Sequence, residues 1–435
     1  MSTVRVTRAT AAILASLTAV FGVAFATPAA AQTPGSQTPG SQTPGSPTDD
    51  PAGAAVGWLA GEFVDGNHLE TIFDGVGYPD HGLTADAVLA FDGADVAQDA
   101  AVSATGWLAD NVEAYVGTGD GAAESYAGSL AKLALVAAAQ GEDPTAFGGV
   151  DLITRLTALR DPVSGRFSDA SEFGDFSNAI TQSLAVISLL RADSTDDAAA
   201  GAGYLAGTQC DDGGFPLLFE QAICTSQADA TGFAVQALLA AGRSVEATAG
   251  LDYLEDTQQD DGGFQDAGVA NANSTALAGQ ALSAGERTDA ADAAAAFLQI
   301  LQVGCDGPAD ARGSIAFDAA GTGDTQRATA QGIAGLTGVP LVEVDNVDDA
   351  AATPVVDCSP PPPTSSTSPP TASSTSPSVP STSAQAGPVP GSGELPATGV
   401  RPVPATGVGV LLVLAGVAFL LLARQRRVVA RSARS

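Results

Sequence analysis

Few side chains in this chain have the types and spacing that catalysis or metal binding requires. It contains two histidines, His68 and His81, and four cysteines among 435 residues. No second ligand pair stands near the cysteines at metal spacing, so we expect neither a metal site nor a cofactor. His81 lies close to Asp80 and Tyr78 and could act as a base or ligand. The alternative is an isolated surface histidine.

The C-terminal region carries a motif with more specific chemistry. The motif consists of Leu395, Pro396, Ala397, Thr398 and Gly399. It is followed by an uncharged segment, 407–423, and then by a cluster of arginines. This order resembles the LPxTG sorting signal of Gram-positive surface proteins. The resemblance implies that a sortase cysteine cleaves between Thr398 and Gly399 and passes the acyl group to an amine of a peptidoglycan precursor.

The segment 407–423 is near the lower length limit for crossing a bilayer. The arginines behind it favour the cytoplasmic side. We therefore expect the chain to contact the membrane only transiently, through the sorting signal. An ordinary C-terminal membrane anchor with a chance pentapeptide is the alternative.

The N-terminal residues 1–31 are typical of a signal peptide. Arg5 and Arg8 precede an apolar stretch, 11–26, and small residues follow it. Cleavage is expected between Ala31 and Gln32. The sequence thus predicts a secreted protein that is held at the cell wall, on the cell surface.

The four cysteines of an exported chain favour two disulfides. Cys210 and Cys224 are close in sequence and flank one loop, so we expect them to pair. Cys305 and Cys358 then form the second bond. Four cysteines allow three pairings, and the sequence alone does not choose among them.

The predicted mature chain is strongly acidic. All 49 acidic residues lie between the two cuts, whereas two of the 17 basic residues precede the first cut and six follow the second. The charge is then near −40, with Lys132 as the sole lysine. This charge disfavours nucleic acid and anionic membranes as partners. Two explanations of the acidity stay open, namely adaptation to high salt and the compositional bias of a GC-rich genome.

Low-complexity segments flank the region that we expect to fold. Residues 32–49 contain three Gln-Thr-Pro-Gly-Ser repeats, which are typical of a disordered linker. Residues 358–394 are rich in proline, serine and threonine and suit an extended, wall-spanning linker. The predicted domain between them is 50–357, and the sorting signal is 395–435.

The central region repeats at an interval of 49 residues. Residues 204–215 match residues 253–264, and each copy ends in Asp-Asp-Gly-Gly-Phe before an Ala/Leu-rich helix. Weaker copies give six helix pairs, which indicates stacked helical hairpins. Positive φ is expected at the Gly-Gly turns, and Phe215 and Phe264 are expected in the core.

This repeat resembles that of protein prenyltransferase β-subunits and squalene cyclases. The resemblance implies an all-α (α/α)6 toroid, with inner helices around a central cavity. It does not imply one function, because relatives with this scaffold do unrelated things. Asp229 matches the middle acid of the cyclase Asp-x-Asp-Asp-Thr motif, but its acidic neighbours are replaced. The zinc-binding histidine of prenyltransferases and the thioester sequence are absent.

The first turns of the inner helices supply the candidate ligand-binding residues. These are Tyr126, Asn178, Asp229, Asn273 and Arg327. Mixed polar groups on an apolar wall suit a small-molecule or peptide site. The alternative is helix capping by Asn178, Asp229 and Asn273, and an i,i+3 ion pair between Asp324 and Arg327.

We therefore predict a wall-anchored surface protein whose toroid binds a small molecule, peptide or glycan partner without catalysis. The alternative is an enzyme on the same toroid, with Asp229 as the candidate catalytic residue. It would be a degenerate terpenoid cyclase or prenyltransferase, or a hydrolase or lyase that acts on glycans. Glycan chemistry would need paired carboxylates and aromatic sugar platforms.

Overall fold

The computed structural model describes residues 50–117, 124–355 and Cys358. The predicted signal cleavage site, the sorting motif, the segment 407–423 and both low-complexity linkers except Cys358 lie outside the described residues. Within the described residues, no helix has the length and apolar character that crossing a membrane requires.

The described residues form thirteen helices, twelve of which make two concentric layers. The inner helices are α2 (His81–Gly93), α5 (Ala127–Ala139), α7 (Ala179–Arg191), α9 (Ala228–Ala240), α11 (Ala272–Ala284) and α13 (Thr325–Thr337). The outer helices are α1 (Pro51–Gly61), α3 (Gln98–Asp110), α6 (Leu152–Thr157), α8 (Thr195–Ala206), α10 (Ser244–Thr257) and α12 (Thr288–Leu301). The short α4 (Val112–Val116) follows α3. This arrangement confirms the predicted toroid.

The two layers differ in the pattern of their buried residues. Helix α7 is buried on nearly all sides, because it packs against both inner neighbours and against α8. Helix α12 buries only Ala294, Phe297, Leu298 and Leu301, which recur at the three- and four-residue spacing of a one-faced helix. The alanines of the inner helices allow close packing around the ring.

The ring closes because the first helix packs as the outer helix of the last repeat. Helix α1 packs mainly on α13 and takes the outer position of that pair. The Gln302 side chain donates to the carbonyl oxygens of Pro51 (2.7 Å) and Gly313 (3.0 Å). Gln209 and Gln258 make the corresponding pair of bonds in their own repeats. The start of α1 therefore occupies the same place as the starts of α10 and α12.

The Gly-Gly-Phe turns position the inner helices as the sequence predicts. Gly262 has φ +86°, and a Cβ there would lie 2.2 Å from the Ala293 carbonyl oxygen. The second glycine, Gly263, needs no positive φ but leaves room for the Phe297 ring. Phe264 is fully buried, and its backbone N–H donates to the Thr275 hydroxyl (2.9 Å). The same bond joins Phe215 and Thr231.

The chain after α13 covers the C-terminal ends of the inner helices. We call residues 339–355 the strap. The Leu341 N–H donates to Gln236 Oε1 (3.0 Å), and Arg191 donates to the carbonyl oxygens of Leu341 and Val344. The Ala350 N–H donates to the Asp95 carbonyl oxygen (3.0 Å). The strap therefore closes one end of the toroid.

Both expected disulfides are present. Cys210 pairs with Cys224, and Cys305 pairs with Cys358. The second bond fixes the end of the strap region to the loop after α12. Among the described residues, strands are short and pair as β1 (Glu70–Phe73) with β2 (Val76–Pro79), β3 (Glu124–Ser125) with β4 (Ala170–Ser171), and β5 (Phe264–Asp266) with β6 (Val269–Asn271).

Candidate functional site

The N-terminal ends of the inner helices form the open mouth of the toroid. The loops that precede these helices are joined laterally, for example by the bond from the Ala179 N–H to the Leu217 carbonyl oxygen (3.0 Å). Asp80 caps α2 by accepting from the Leu83 N–H (2.9 Å). Polar first turns from separate repeats thus converge at one end, and the strap covers the other.

The predicted residues Asn178, Asp229 and Asn273 occupy different positions at the starts of their helices. Asn178 caps α7, because its side chain accepts from the N–H groups of Ile180 and Thr181. Asp229 and Asn273 lie within the first turns of α9 and α11, after the cap residues Gln227 and Asn271. Capping therefore explains Asn178 and does not explain Asp229 or Asn273.

Asn273 carries an unusual buried group. Its side-chain Oδ1 is buried and has no hydrogen-bond partner among the described residues. Buried polar atoms are normally paired with protein or water. Tyr126 lies apart from this group, before α5, with its hydroxyl 3.4 Å from Ser171 Oγ.

Arg327 lies in an ion-pair network that joins three inner helices. Its guanidinium approaches Asp80 (3.1 Å), Asp86 (3.7 Å) and Asp324 (3.8 Å). Asp86 also pairs with Lys132 Nζ at 2.6 Å. The sequence indicated only the Asp324 contact. The Arg327–Asp80 bond spans 247 residues of chain and the Lys132–Asp86 bond spans 46, and local spacing reveals neither.

Burial and charge shift the pKa values of Lys132, in this network, and of Tyr115. Burial disfavours charge on Lys132, but Asp86 and then Tyr115 outweigh it and raise the pKa of the ammonium group. Burial raises the pKa of the Tyr115 hydroxyl, against the attraction of Lys132. Lys132 therefore stays protonated at neutral pH.

His81 belongs to an aromatic group and is not an isolated surface residue. Its ring centroid lies 4.6 Å from that of Trp107 and 5.8 Å from that of Tyr115. His68 stacks on Trp107 at 4.6 Å. Burial lowers the pKa of His81, although Asp80 opposes the shift. Its Nε2 is buried and has no partner within the described part of the chain.

The inner helices enclose a narrow cavity of about 50 Å³. Its wall includes Leu89, Leu184, Phe233 and Leu277, and Leu341 of the strap contributes to it. Since one water needs roughly 10–15 Å³ of such volume, the cavity has room for a few waters. Asp86 and Lys132 of the ion-pair network also line it. The polar network therefore lies where the cavity meets the mouth.

Asp229 borders a separate cleft of about 460 Å³. Burial raises the pKa of its carboxyl, whereas a hydrogen bond from Ser274 lowers it and the charge on Asp266 raises it. Asp256, Asp266 and Tyr253 line the same cleft. A desolvated acid beside exposed carboxylates is an arrangement that general acid–base chemistry uses.

The described residues contain no group of three or more histidine, cysteine or acidic side chains that could hold a metal ion. No protein-family profile matches the chain, and neither does any curated protein sequence.

Solved structures match the fold at low sequence identity. An unsaturated glucuronyl hydrolase specific for heparin superposes with a TM-score of 0.51 and 12% identity, over 66% of this chain and 95% of that chain. A protein from Actinoplanes gives 0.48 and 15%, over 66% and 98%. The ent-copalyl diphosphate synthase from Streptomyces platensis gives 0.39 and 15%, over 60% and 51%. The glucuronyl hydrolase match agrees with the helical toroid fold of this chain, and an identity this low carries no information on activity.

Proposed function

We propose that this chain is a cell-surface protein whose toroid binds a small polar ligand at its open mouth without catalysis. The observation that carries the proposal is the convergence of Arg327, Lys132 and Asp86 above a cavity that is closed at its other end. Asn273, in the first turn of α11, adds a buried oxygen without a partner within the described residues.

The geometry favours binding over chemistry in this network. The two oxygens of Asp86 are engaged separately, one with Lys132 and the other with Arg327. A carboxylate held in this way is a weak candidate for proton transfer. Arg327 remains about one-third exposed, so its guanidinium is accessible to a ligand from the mouth.

The cavity volume limits what the ligand can be. Pockets that bury drug-sized ligands have volumes of roughly 300–1,000 Å³. A cavity of about 50 Å³ is too small for a terpenoid chain. We infer that the ligand occupies the mouth, which argues against the terpenoid cyclase and prenyltransferase alternatives.

A thermal-shift and native mass spectrometry comparison tests the proposal. Protein purified from its own host should carry a small molecule, and Arg327→Gln should lose it. Arg243→Gln is the matched control, because Arg243 pairs with Glu246 on the outer helix α10. The proposal is wrong if Arg327→Gln retains the same ligand at the same occupancy, or if neither protein carries one.

We also propose attachment to the peptidoglycan through Thr398, with a sortase as the enzyme partner. The pentapeptide, the apolar segment and the arginine cluster occur in the required order, and this order supports the proposal. Muramidase digestion should release the chain from cells, and Thr398→Ala should prevent the release. Recovery of wild-type protein in the membrane fraction with its arginine tail intact would contradict attachment.

The Asp229 cleft supports a second candidate function, hydrolysis of a glycan. The specific observation is the desolvated Asp229 carboxyl beside Asp256 and Asp266. Such an enzyme should release new reducing ends from a polysaccharide, and Asp229→Asn should abolish this activity with little change in melting temperature. Equal activity of the variant would exclude Asp229 as the acid.

A further inference from the structure

A second cleft lies on the outside of the ring, at the seam where the two ends of the domain meet. Its volume is about 610 Å³, and we call it the seam cleft. Its walls come from α1, from the loop after α12 and from the last strap residues. The main lining side chains are Trp58, Glu62, Phe63, Asp310, Arg312 and Pro354. Of these, Glu62 also contacts the mouth, because its carboxylate accepts from Gln326 Nε2 in the first turn of α13 (3.3 Å).

Hydrogen bonds and close backbone contacts hold the walls together. The indole N–H of Trp58 donates to the Asp310 carbonyl oxygen at 2.9 Å, which fixes the edge of the indole. Gly57 allows the Pro354 carbonyl oxygen to approach, because a Cβ at residue 57 would lie 2.3 Å from that oxygen. The disulfide between Cys305 and Cys358 ties the loop to the chain just beyond the strap. The cleft is therefore preformed.

Arg312 is unusual in such an acidic chain. Among the other arginines of the described residues, carboxylate ion pairs hold Arg160, Arg166, Arg243, Arg287 and Arg327. The terminal nitrogens of Arg155 and Arg191 donate instead to backbone or hydroxyl oxygens. Arg312 forms no carboxylate ion pair within the described residues, and its Nε donates to the Gly307 carbonyl oxygen at 3.3 Å. Its terminal nitrogens are thus not held by a carboxylate, and the side chain lines an open cleft.

The combination of side chains indicates the class of ligand. Trp58 and Phe63 offer flat apolar surfaces with a polar surround, which suits the C–H face of a sugar ring. Arg312 offers paired N–H donors to hydroxyl oxygens, and the carboxylates of Glu62 and Asp310 accept from hydroxyl groups. The net charge of −32 disfavours an anionic ligand at long range.

We infer that the seam cleft binds a neutral sugar ring of an oligosaccharide. Its volume lies within the range of ligand pockets and is roughly ten times that of the central cavity. The seam cleft shares no lining residue with the central cavity, so this inference stands whether or not the mouth binds its own ligand.

Titration calorimetry with a neutral gluco-oligosaccharide of six residues tests the inference. A uronate oligosaccharide of the same length serves as the charged comparison. The wild-type chain should bind the neutral probe at least tenfold more tightly than the uronate. Arg312→Ala should weaken binding of the neutral probe at least tenfold with an unchanged melting temperature. Glu62→Gln should weaken it to a smaller extent, because one Glu62 oxygen also accepts from Gln326 (3.3 Å).

Arg243→Ala is the matched control and should bind the neutral probe as the wild type does, whereas Arg327→Gln reports on the mouth. Loss of binding in Arg327→Gln together with full binding in Arg312→Ala would place the sugar in the mouth and overturn the inference. Tighter binding of the uronate, or no heat with either probe, would also overturn it.

Discussion

Replacement of Asp92 by asparagine should stabilise the protein at neutral pH. Asp92 lies in α2, is only 1% exposed and faces the strap. One of its oxygens accepts from Gln140 Nε2 at 2.6 Å, and the other has no partner among the described residues. Burial raises the pKa of this carboxyl to about 7; Gln140 and Arg191 oppose the shift, whereas the charges on Asp349 and Asp345 add to it.

The sign of the effect follows from the direction of this shift. The folded state disfavours the ionised carboxyl, so stability is greatest at low pH and is lost as pH rises from about 4 to about 7. One pKa unit corresponds to about 1.4 kcal/mol, so the full loss is about 4 kcal/mol. Between pH 5 and pH 8 the expected loss is about 3 kcal/mol. Asparagine keeps the acceptor for Gln140 and stays neutral throughout.

Denaturant unfolding of the wild type and Asp92→Asn at pH 5, 6, 7 and 8 measures this difference. The free energy of unfolding of the variant should rise by about 3 kcal/mol relative to that of the wild type between pH 5 and pH 8. From pH 5 to pH 8 this growing difference corresponds to about 5 °C in melting temperature, for roughly 300 residues at about 2 cal/mol/K each. Asp110→Asn, at the exposed end of α3, is the control and should run parallel to the wild type. Parallel curves for Asp92→Asn would refute the reasoning.

Further predictions concern the turns, the strap and the ring closure. Gly262→Ala should destabilise the fold by about 3 kcal/mol, because its Cβ would meet the Ala293 carbonyl oxygen, whereas Gly268→Ala, with similar φ and open space, should lose about 1 kcal/mol. Equal losses in denaturant unfolding would rule out the contact. Replacement of Cys305 and Cys358 by serine should lower the free energy of unfolding by about 4 kcal/mol, since the bond closes a loop of 53 residues. An unchanged unfolding midpoint under oxidising conditions would contradict this. Gln302→Ala should lose about 2 kcal/mol, because two backbone acceptors lose their donor, and a loss below 0.5 kcal/mol would show that the closure does not depend on Gln302.

The repeat pattern predicted the fold for reasons that are local in sequence. Each Gly-Gly-Phe turn has the same requirements, namely a positive φ at the first glycine, a close approach at the second and a buried ring. A 49-residue period therefore indicated stacked hairpins before any contact was known. The pairing of Cys210 with Cys224 was also favoured by proximity along the chain, and the structure contains it.

The candidate site was predicted only in part. The position of Arg327 at the mouth follows from its place in the first turn of an inner helix. Asp229 and Asn273 were also placed there, but their burial and the use of Asn271 as the actual cap depend on packing. No local sequence pattern predicts the aromatic contacts of His81 with Trp107 and Tyr115.

The sequence by itself determined the export and sorting hypotheses, the repeat and the helix count of the ring, because each depends on residues that are near one another along the chain. Only the tertiary structure decided that α1 completes the last pair, that the strap closes the ring and that the seam cleft exists. These features join residues more than 100 positions apart, and 251 apart in the Gln302 bond to Pro51. Contacts at such separation arise when the chain closes on itself, and neither composition nor spacing encodes which surfaces then meet.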